Sequence, residues 1–357
     1  MMIHLSISYG GEGSWYYKEY QADTFSIIML TWHNATVQSF SMGLFFLISG
    51  YFTPGSYDRK GPKQFLKDKM FRLGIPILCY DFVIGPLIVR PLVLFGDQDS
   101  IGSYNDFLTN YYTSFHIGTG PLWFAEALLL FAVFYSLWRK LAKTQTIQGS
   151  GKLPGILAIV LLLFGLIVVT FIVRIWLPIG WTFKPLNFQF PFFSQYICMY
   201  IIGIIAYRNN WLEQIPDSVG KLWLTIACIF IFILFPVLFV SGGASSGNIS
   251  HFIGGLHWQS FALTVWEQFT GIAMIITLLF LSRNYYNQQT GMRKAISASA
   301  YTAYIIHAPV IIFVAVMLRS INLYPLLKFA LAVLISIPLC FTLANFIRQL
   351  PLARRIL

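Results

Sequence analysis

Long apolar runs alternate with short polar loops along this chain, and the pattern predicts a bundle of membrane-spanning helices. A helix needs about 20 apolar residues to cross the hydrocarbon core of a bilayer. Nine runs have a suitable length, near residues 30–52, 72–95, 120–138, 154–178, 190–207, 220–240, 259–282, 297–318 and 324–347. A tenth run, Met1–Tyr9, is too short to cross and lacks the basic flank of a signal peptide. We therefore expect an all-α polytopic membrane bundle of about ten spans, the first incomplete, as a single domain over residues 1–357.

The distribution of basic residues between the loops predicts the orientation of this bundle. Lys and Arg are dense in Thr53–Arg72 and absent from Gly96–Thr119, and the alternation continues to the C-terminus. Eighteen basic residues lie on one set of alternate loops and four on the other. Since cytoplasmic loops carry an excess of Lys and Arg, we expect the first set and the C-terminus in the cytoplasm. The loop Gly10–Asp23 is then external, so Met1–Tyr9 is expected to be the outer end of a helix whose inner half is absent.

Composition supports the membrane interpretation and argues against nucleic acid as a partner. Hydrophobic residues make up 57% of the chain and charged residues only 10%, whereas soluble domains carry about 25% charged residues. The formal net charge of +11 is explained by the basic loops, and the sequence has no basic tail interleaved with aromatic residues. The four cysteines have no CxxC spacing, so neither a metal site nor a disulfide framework is expected.

Ionisable residues inside the predicted spans are candidates for function, because each charge at a helix centre costs roughly 2.5–3.5 kcal/mol on insertion scales. These residues are His4, His33, Asp81, Arg90, Glu126, Arg174, Glu267 and His307. Structural alternatives exist for most of them. Arg90 and Arg174 lie near outer helix ends, from which their side chains can reach the headgroups. Asp81 and Glu126 can pair with a basic residue, and the histidines can hydrogen-bond across helices.

Two cations stand together where the cytoplasmic loop meets the third span. Lys69 and Arg72 are three residues apart, a spacing that places both side chains on one face of a helix. Paired cations on the cytoplasmic side suit a ligand rich in phosphate. The alternative is an ordinary basic flank that fixes the topology of the chain.

Three stretches resemble the integral membrane acyltransferase family 3, which includes carbohydrate O-acyltransferases and proteins similar to glucan biosynthesis protein C. The first is FFLISGYFTPGSYDRKGPKQFLKDKMFRLGIPIL, from Phe45 to Leu78. The second is GPLWFAEALLLF, from Gly120 to Phe131, and the third is SASAYTAYIIHAPVI, from Ser297 to Ile311. They occur in order along nearly the whole chain and fit a plan of ten spans.

The resemblance implies transfer of an acyl group, commonly acetyl, from cytoplasmic acyl-CoA to a hydroxyl group. It places the catalytic histidine of the family, in the first span, at His4. The basic pair that would bind acyl-CoA falls on Lys69 and Arg72, where the family usually has two arginines. Lysine keeps the charge but lacks the guanidinium fork. The family's basic residue about ten positions before this histidine has no counterpart in this chain.

Three of the intramembrane ionisable residues are candidates for secondary roles in this mechanism, and the resemblance suggests the partners. His307, Glu126 and Asp81 are expected to orient His4 or to bind the acceptor. The acceptor is expected to be a carbohydrate or another hydroxyl compound, with lipid around the bundle in a bacterial inner membrane and no metal in the reaction. Two alternatives stay open on sequence alone. Intramembrane charges also occur in transporters and flippases, and a chain that lacks half of its first span could be an inactive relative.

Overall fold

The computed structural model is a bundle of helices, and it describes residues 1–19, 22–95, 103–113, 120–142, 151–184, 186–244, 249–286, 288, 290–351 and 353–356. It is 82% helical, and its described residues contain no strand. The α-helices in chain order are α1 Met2–Ser8, α2 Thr24–Lys69, α3 Ile75–Cys79, α4 Gly85–Phe95, α5 Tyr104–Thr113, α6 Trp123–Leu141, α7 Ile156–Trp176, α8 Phe193–Asn209, α9 Asp217–Ile229, α10 Phe235–Ser241, α11 Ser250–Ile253, α12 Trp258–Tyr285, α13 Gly291–Leu318 and α14 Pro325–Ile347.

The prediction of an all-α polytopic bundle is confirmed. Within the described ranges, eight helical segments are long and apolar enough to cross a membrane, and the longest, Thr24–Leu92, contains two of the predicted spans. The helix α7 shows the character of these segments, since Leu157, Leu161 and Phe164 expose 72%, 62% and 67% of their surface. Side chains as apolar as these are stable on the outside of a bundle only when lipid is the solvent.

The prediction that Thr53–Arg72 forms a loop is wrong, because helix α2 continues through most of this segment to Lys69. The helix is broken at one place, Gly61, whose φ of 71° and ψ of 166° lie outside the helical region. The ring centroids of Tyr57 and Phe65, on either side of this break, are 5.4 Å apart, whereas eight residues of straight helix would separate their backbones by about 12 Å. The connection between the two spans is therefore a sharp bend at Gly61 between two helical arms.

The predicted external segment Gly96–Thr119 is partly helical as well. Its residues 103–113 are described and contain α5, while 96–102 and 114–119 lie outside the described residues. The hydroxyl of Tyr111 donates to the backbone carbonyl of Asp81 at 2.7 Å, and that of Tyr112 donates to the carbonyl of Phe82 at 2.8 Å. The two carbonyls belong to a π-helical turn, Tyr80–Ile84. The two bonds therefore attach α5 to the span that contains this turn.

Close backbone contact between α2 and α8 forms the centre of the bundle. A Cβ atom built on Gly50 would lie 2.1 Å from the carbonyl oxygen of Tyr200, and one built on Gly203 would lie 2.1 Å from the carbonyl oxygen of Leu47. Only glycine fits at such distances, and small residues at helix crossings are typical of membrane proteins. Phe46, Tyr196 and other aromatic residues complete this core. The first helix α1 lies elsewhere, against α2, α13 and α14.

Candidate active site

The loop that follows α1, predicted to be external, folds back onto the helix bundle. Gly10 and Gly13 have φ values of 125° and 144°, a region that favours glycine over residues with a side chain. The backbone N–H of Gly11 donates to the carbonyl of Ser6 at 2.8 Å, and the N–H of Glu19 donates to the carbonyl of Ser8 at 2.8 Å. These bonds hold the aromatic part of the loop over α1.

The fold of this loop brings a tryptophan onto the predicted catalytic histidine. The rings of His4 and Trp15 stack with centroids 3.8 Å apart and planes 12° from parallel. On its other side His4 faces His307 of α13, at 5.4 Å between ring centroids and 18° between planes. The Nδ1 atom of His4 is buried and has no hydrogen-bond partner among the described residues. His4 is thus packed inside the bundle and keeps an unused imidazole nitrogen.

The hydrogen bonding of His307 defines its tautomer. Its Nδ1 atom lies 2.5 Å from the backbone carbonyl oxygen of Tyr304. Since a carbonyl oxygen only accepts, Nδ1 must carry the proton, and Nε2 of the neutral ring is left as an acceptor. The side chain is buried, with 4% of its surface exposed. His307 therefore meets His4 by ring stacking and presents a second basic nitrogen in the same region.

An aromatic stripe on α13 connects this histidine pair with the third span. Tyr301, Tyr304 and His307 follow at intervals of three residues, and their successive ring centroids are 6.4 and 5.9 Å apart. The hydroxyl of Tyr301 donates to the backbone carbonyl of Arg72 at 2.5 Å. Six helical residues correspond to about 9 Å along the axis. The stripe thus spans the depth between His4 and the predicted site for acyl-CoA.

The two predicted phosphate-binding cations have no carboxylate partner among the described residues. The Nζ atom of Lys69 lies 5.7 Å from the ring centroid of Phe65, and the side chain of Arg72 is exposed. Other basic residues nearby have a carboxylate partner, since Asp58 accepts from Arg139 at 3.1 Å and from Arg208 at 2.7 Å. The charges of Lys69 and Arg72 therefore remain available to a ligand at this end of the bundle.

The two predicted supporting carboxylates lie in different environments. Asp81 belongs to the π-helical turn Tyr80–Ile84, is 3% exposed, and has an Oδ1 atom without a hydrogen-bond partner in the described chain. Glu126 lies partly buried in the first turn of α6, where the helix dipole favours a negative charge. The ring of Tyr80, next to Asp81, packs in the same cluster as Trp15, Tyr16 and Ile305. Asp81 is therefore adjacent to residues that surround the histidine pair.

The interpretation of Arg174 as a side chain that reaches the headgroups is wrong. Arg174 is fully buried, and its Nη2 atom donates to both carboxylate oxygens of Glu267 at 2.8 and 2.9 Å. Its Nη1 atom donates to the hydroxyl of Thr264 at 3.3 Å. Arg90, in contrast, is exposed and lies 5.8 Å from the ring centroid of Tyr104. The buried ion pair joins α7 to α12, so Arg174 and Glu267 both have a structural role.

The remaining intramembrane histidine, His33, is separate from the histidine pair. Its Nδ1 atom lies 3.2 Å from the side-chain oxygen of Asn34, its Nε2 atom is buried without a partner in the described chain, and its ring contacts Phe329 at 5.6 Å between centroids. These contacts are those of a residue that packs between helices, and they support the structural interpretation of His33.

Two aromatic residues of the site were absent from the sequence prediction. Trp15 occurs in the run SWYY of the loop after α1, which gives no hint that the loop returns to α1. Tyr304 could have been found, because Tyr301, Tyr304 and His307 share one face of a single predicted span. The contact that matters most, His4 with Trp15, depends on the turn made by the intervening glycines.

Comparison with known proteins shows the family to which the chain belongs. The sequence matches the family model described as an acyltransferase domain, that of acyltransferase family 3, over residues 1–345. No curated protein and no solved structure matches the chain at a significant level. The match covers every helix from α1 to α13 and nearly all of α14, and it confirms the family suggested by the three sequence stretches. The chain therefore belongs to acyltransferase family 3 and is an integral membrane acyltransferase.

Proposed function

We propose that the protein transfers an acyl group, acetyl by preference, from cytoplasmic acyl-CoA to a hydroxyl group of a carbohydrate or another envelope compound. The main support is the aromatic stripe that runs from the backbone carbonyl of Arg72, whose side chain is exposed, to the stacked rings of His307 and His4. Acyl-CoA requires both features if cations bind its phosphates at one end and its thioester is attacked near an imidazole at the other. Membership of the acyltransferase family supports the type of reaction.

The proposed reaction uses His4 as a general base. Its imidazole accepts the proton of the acceptor hydroxyl, and the oxygen attacks the carbonyl carbon of the thioester. The bond between this carbon and the sulfur of coenzyme A then breaks, and the imidazolium returns the proton to the thiolate. Lys69 and Arg72 bind the phosphates of the donor, while His307, Glu126 and Asp81 support His4 or the acceptor.

The loops give the proposed orientation. Lys69, Arg72 and the C-terminus belong to the basic set of loops, which we assign to the cytoplasm of a bacterial cell. The loop that contains Trp15 is on the opposite side, so the acceptor reaches His4 from outside. Transfer therefore requires the pantetheine arm of the donor to pass between helices toward His4.

Incorporation of labelled acetyl from acetyl-CoA tests this function in membranes that contain the protein. We expect His4→Ala to remove incorporation and Arg72→Ala to raise the KM for acetyl-CoA. Arg90→Ala is the matched control, because Arg90 is also an exposed arginine of a span and lies outside the proposed site. Normal incorporation in both site variants, at equal expression, would contradict the proposal.

A further inference from the structure

Three π-helical turns lie within spans of the described chain, and an aromatic side chain of another helix binds a backbone carbonyl of each turn. The turns are Met70–Gly74, Tyr80–Ile84 and Phe230–Leu234. The first accepts a hydrogen bond from α13, and the second accepts two from α5. In the third, the carbonyl of Phe230 accepts from Nε1 of Trp266 at 2.7 Å. Turns of this kind are rare and occur frequently at functional sites.

The first of these turns contains Arg72, one of the two cations that we assign to acyl-CoA. The hydrogen bonds of a π-helical turn run from residue i to residue i+5, so the turn contains one more residue than a turn of α-helix. One residue corresponds to about 100° of rotation around the axis of an α-helix. The direction of the Arg72 side chain therefore depends on whether this turn keeps its wide form.

A hydrogen bond from α13 holds the first turn at Arg72. The hydroxyl of Tyr301 donates to the backbone carbonyl of Arg72 at 2.5 Å. Tyr304, three residues further along α13, donates its own hydroxyl to the carbonyl of Pro121 at 2.7 Å, which attaches α13 to the start of the next span. The ring centroids of the two tyrosines are 6.4 Å apart. Tyr301 thus binds the backbone of Arg72 from a helix that is fixed at a second point.

The side chain of Arg72 is exposed and forms no ion pair within the described residues. The acidic residue closest to it in sequence is Asp68, which has other partners. The Nζ atom of Lys60 donates to this carboxylate, and Nε2 of Gln64 donates to its Oδ1 atom at 2.6 Å. A phosphate group at this place therefore meets a cation whose backbone is bonded and whose guanidinium is available.

We propose that Tyr301 is a positioning residue of the donor site, which keeps the wide turn in the form that directs Arg72 toward the phosphates of acyl-CoA. Its hydroxyl acts through the backbone of Arg72 and makes no contact with the donor. A cation that is held in place before binding loses less conformational freedom on binding, so the complex is tighter. The inference rests on the proposed function, since it concerns the donor site of the same reaction.

Calorimetric titration of the full chain in detergent with acetyl-CoA tests this role, together with KM and kcat for acyl transfer in membranes. The Tyr301→Phe change keeps the ring and removes only the hydroxyl. We expect Kd and KM for acetyl-CoA to rise about two- to tenfold, which is the range for one hydrogen bond. We expect kcat to stay the same, because the change weakens binding of the donor equally in the ground state and in the transition state.

Tyr112→Phe is the matched control. The hydroxyl of Tyr112 also donates to a carbonyl of a π-helical turn in the same span, that of Phe82 at 2.8 Å, and neither residue belongs to the proposed site. We expect this variant to keep the Kd of the unaltered chain. A second comparison introduces Tyr301→Phe into the Arg72→Ala chain. It should leave the Kd of that chain unchanged, because the side chain that Tyr301 positions is absent.

Three results would overturn the inference. These are an equal Kd in the unaltered chain and Tyr301→Phe, an equal rise in Tyr112→Phe, and a further rise of the same size in the Arg72→Ala chain. Binding of acetyl-CoA that depends on Tyr301 without any acyl transfer would instead reject the proposed function and retain the role of Tyr301. Acyl transfer from acetyl-CoA with an unchanged Kd in Tyr301→Phe would do the reverse.

Discussion

Two polar regions lie inside the bundle, and they differ in how their buried groups are satisfied. In the ion-pair region, Arg174 donates to both oxygens of Glu267 and to the hydroxyl of Thr264, and only its Nε atom lacks a partner in the described chain. In the histidine region, the Nδ1 atom of His4 and the Nε1 atom of Trp15 are buried without partners in the described chain. Burial of an unpaired polar group costs free energy. In the first region the ion pair of Arg174 and Glu267 offsets this cost, whereas no described protein group bonds the two nitrogens of the second region. The contrast indicates that the first region holds helices together and that the second is arranged for a ligand.

Replacement of His4 by phenylalanine should have the largest effect on activity. The His4→Phe change keeps a ring against Trp15 and removes two nitrogens, of which Nδ1 makes no hydrogen bond. We expect the rate of acyl transfer to fall about 10²- to 10⁴-fold, the usual contribution of a general base. The thermal midpoint in detergent should stay within a few degrees of that of the unaltered chain. A large fall in this midpoint would mean that His4 has a structural role similar to that of Arg174.

Loss of one partner of the ion pair should instead lower the stability of the protein. Arg174→Met leaves the carboxylate of Glu267 buried and without its cation, so we expect a loss of about 3–5 kcal/mol in the free energy of unfolding. The double variant Arg174→Met with Glu267→Leu should recover most of this loss and should retain acyl transfer. Denaturation followed by tryptophan fluorescence measures the stability. An inactive double variant with normal stability would assign Glu267 to the chemistry.

Trp15 should affect the rate less than His4 does, because it positions the imidazole without reacting. In Trp15→Ala the ring of His4 loses its stacking partner at 3.8 Å, and aromatic pairs contribute about 0.5–1.5 kcal/mol. We expect kcat to fall by about tenfold or less, with the KM for acyl-CoA unchanged, and Trp15→Phe should restore most of the rate. A rise in KM with constant kcat would instead place Trp15 in the donor site.

Replacement of Lys69 by arginine should have the smallest effect, and it should be favourable. The Lys69→Arg change keeps the charge and adds the planar fork that binds phosphate oxygens in pairs. We expect the KM for acetyl-CoA to fall roughly two- to threefold, since the additional hydrogen bond is expected to contribute near the lower limit of the usual range of about 0.5–1.5 kcal/mol. Lys67→Arg is the control, because this residue is exposed on the same helix. An equal change in both variants would exclude a specific role for Lys69.

The sequence predicted the spans well because hydropathy and loop charge act over whole segments. It failed at Gly61, where one residue bends a helix that otherwise runs through the predicted loop. It identified Arg174 and Glu267 as separate intramembrane charges but could not pair them, since 93 residues separate them along the chain. Pairings of this kind depend on which helices pack together, and a single sequence carries little information about that.

The same limit applies to the histidine region. The sequence pointed to His4 and His307 individually, through family resemblance and through the cost of polar groups in lipid. Only the folded chain shows that their rings lie 5.4 Å apart. The contribution of Trp15 depends on the positive φ angles of Gly10 and Gly13, which turn the loop after α1 back to this helix.

Chemical rescue tests the role of His4 most directly. The His4→Gly chain is assayed for transfer of labelled acetyl from acetyl-CoA, with and without added imidazole. If His4 is the proton acceptor, this chain is inactive alone, and its rate rises with the imidazole concentration and with pH up to the pKa of free imidazole. Transfer by His4→Gly at the rate of the unaltered chain, without imidazole, would contradict the assignment of His4 as the base.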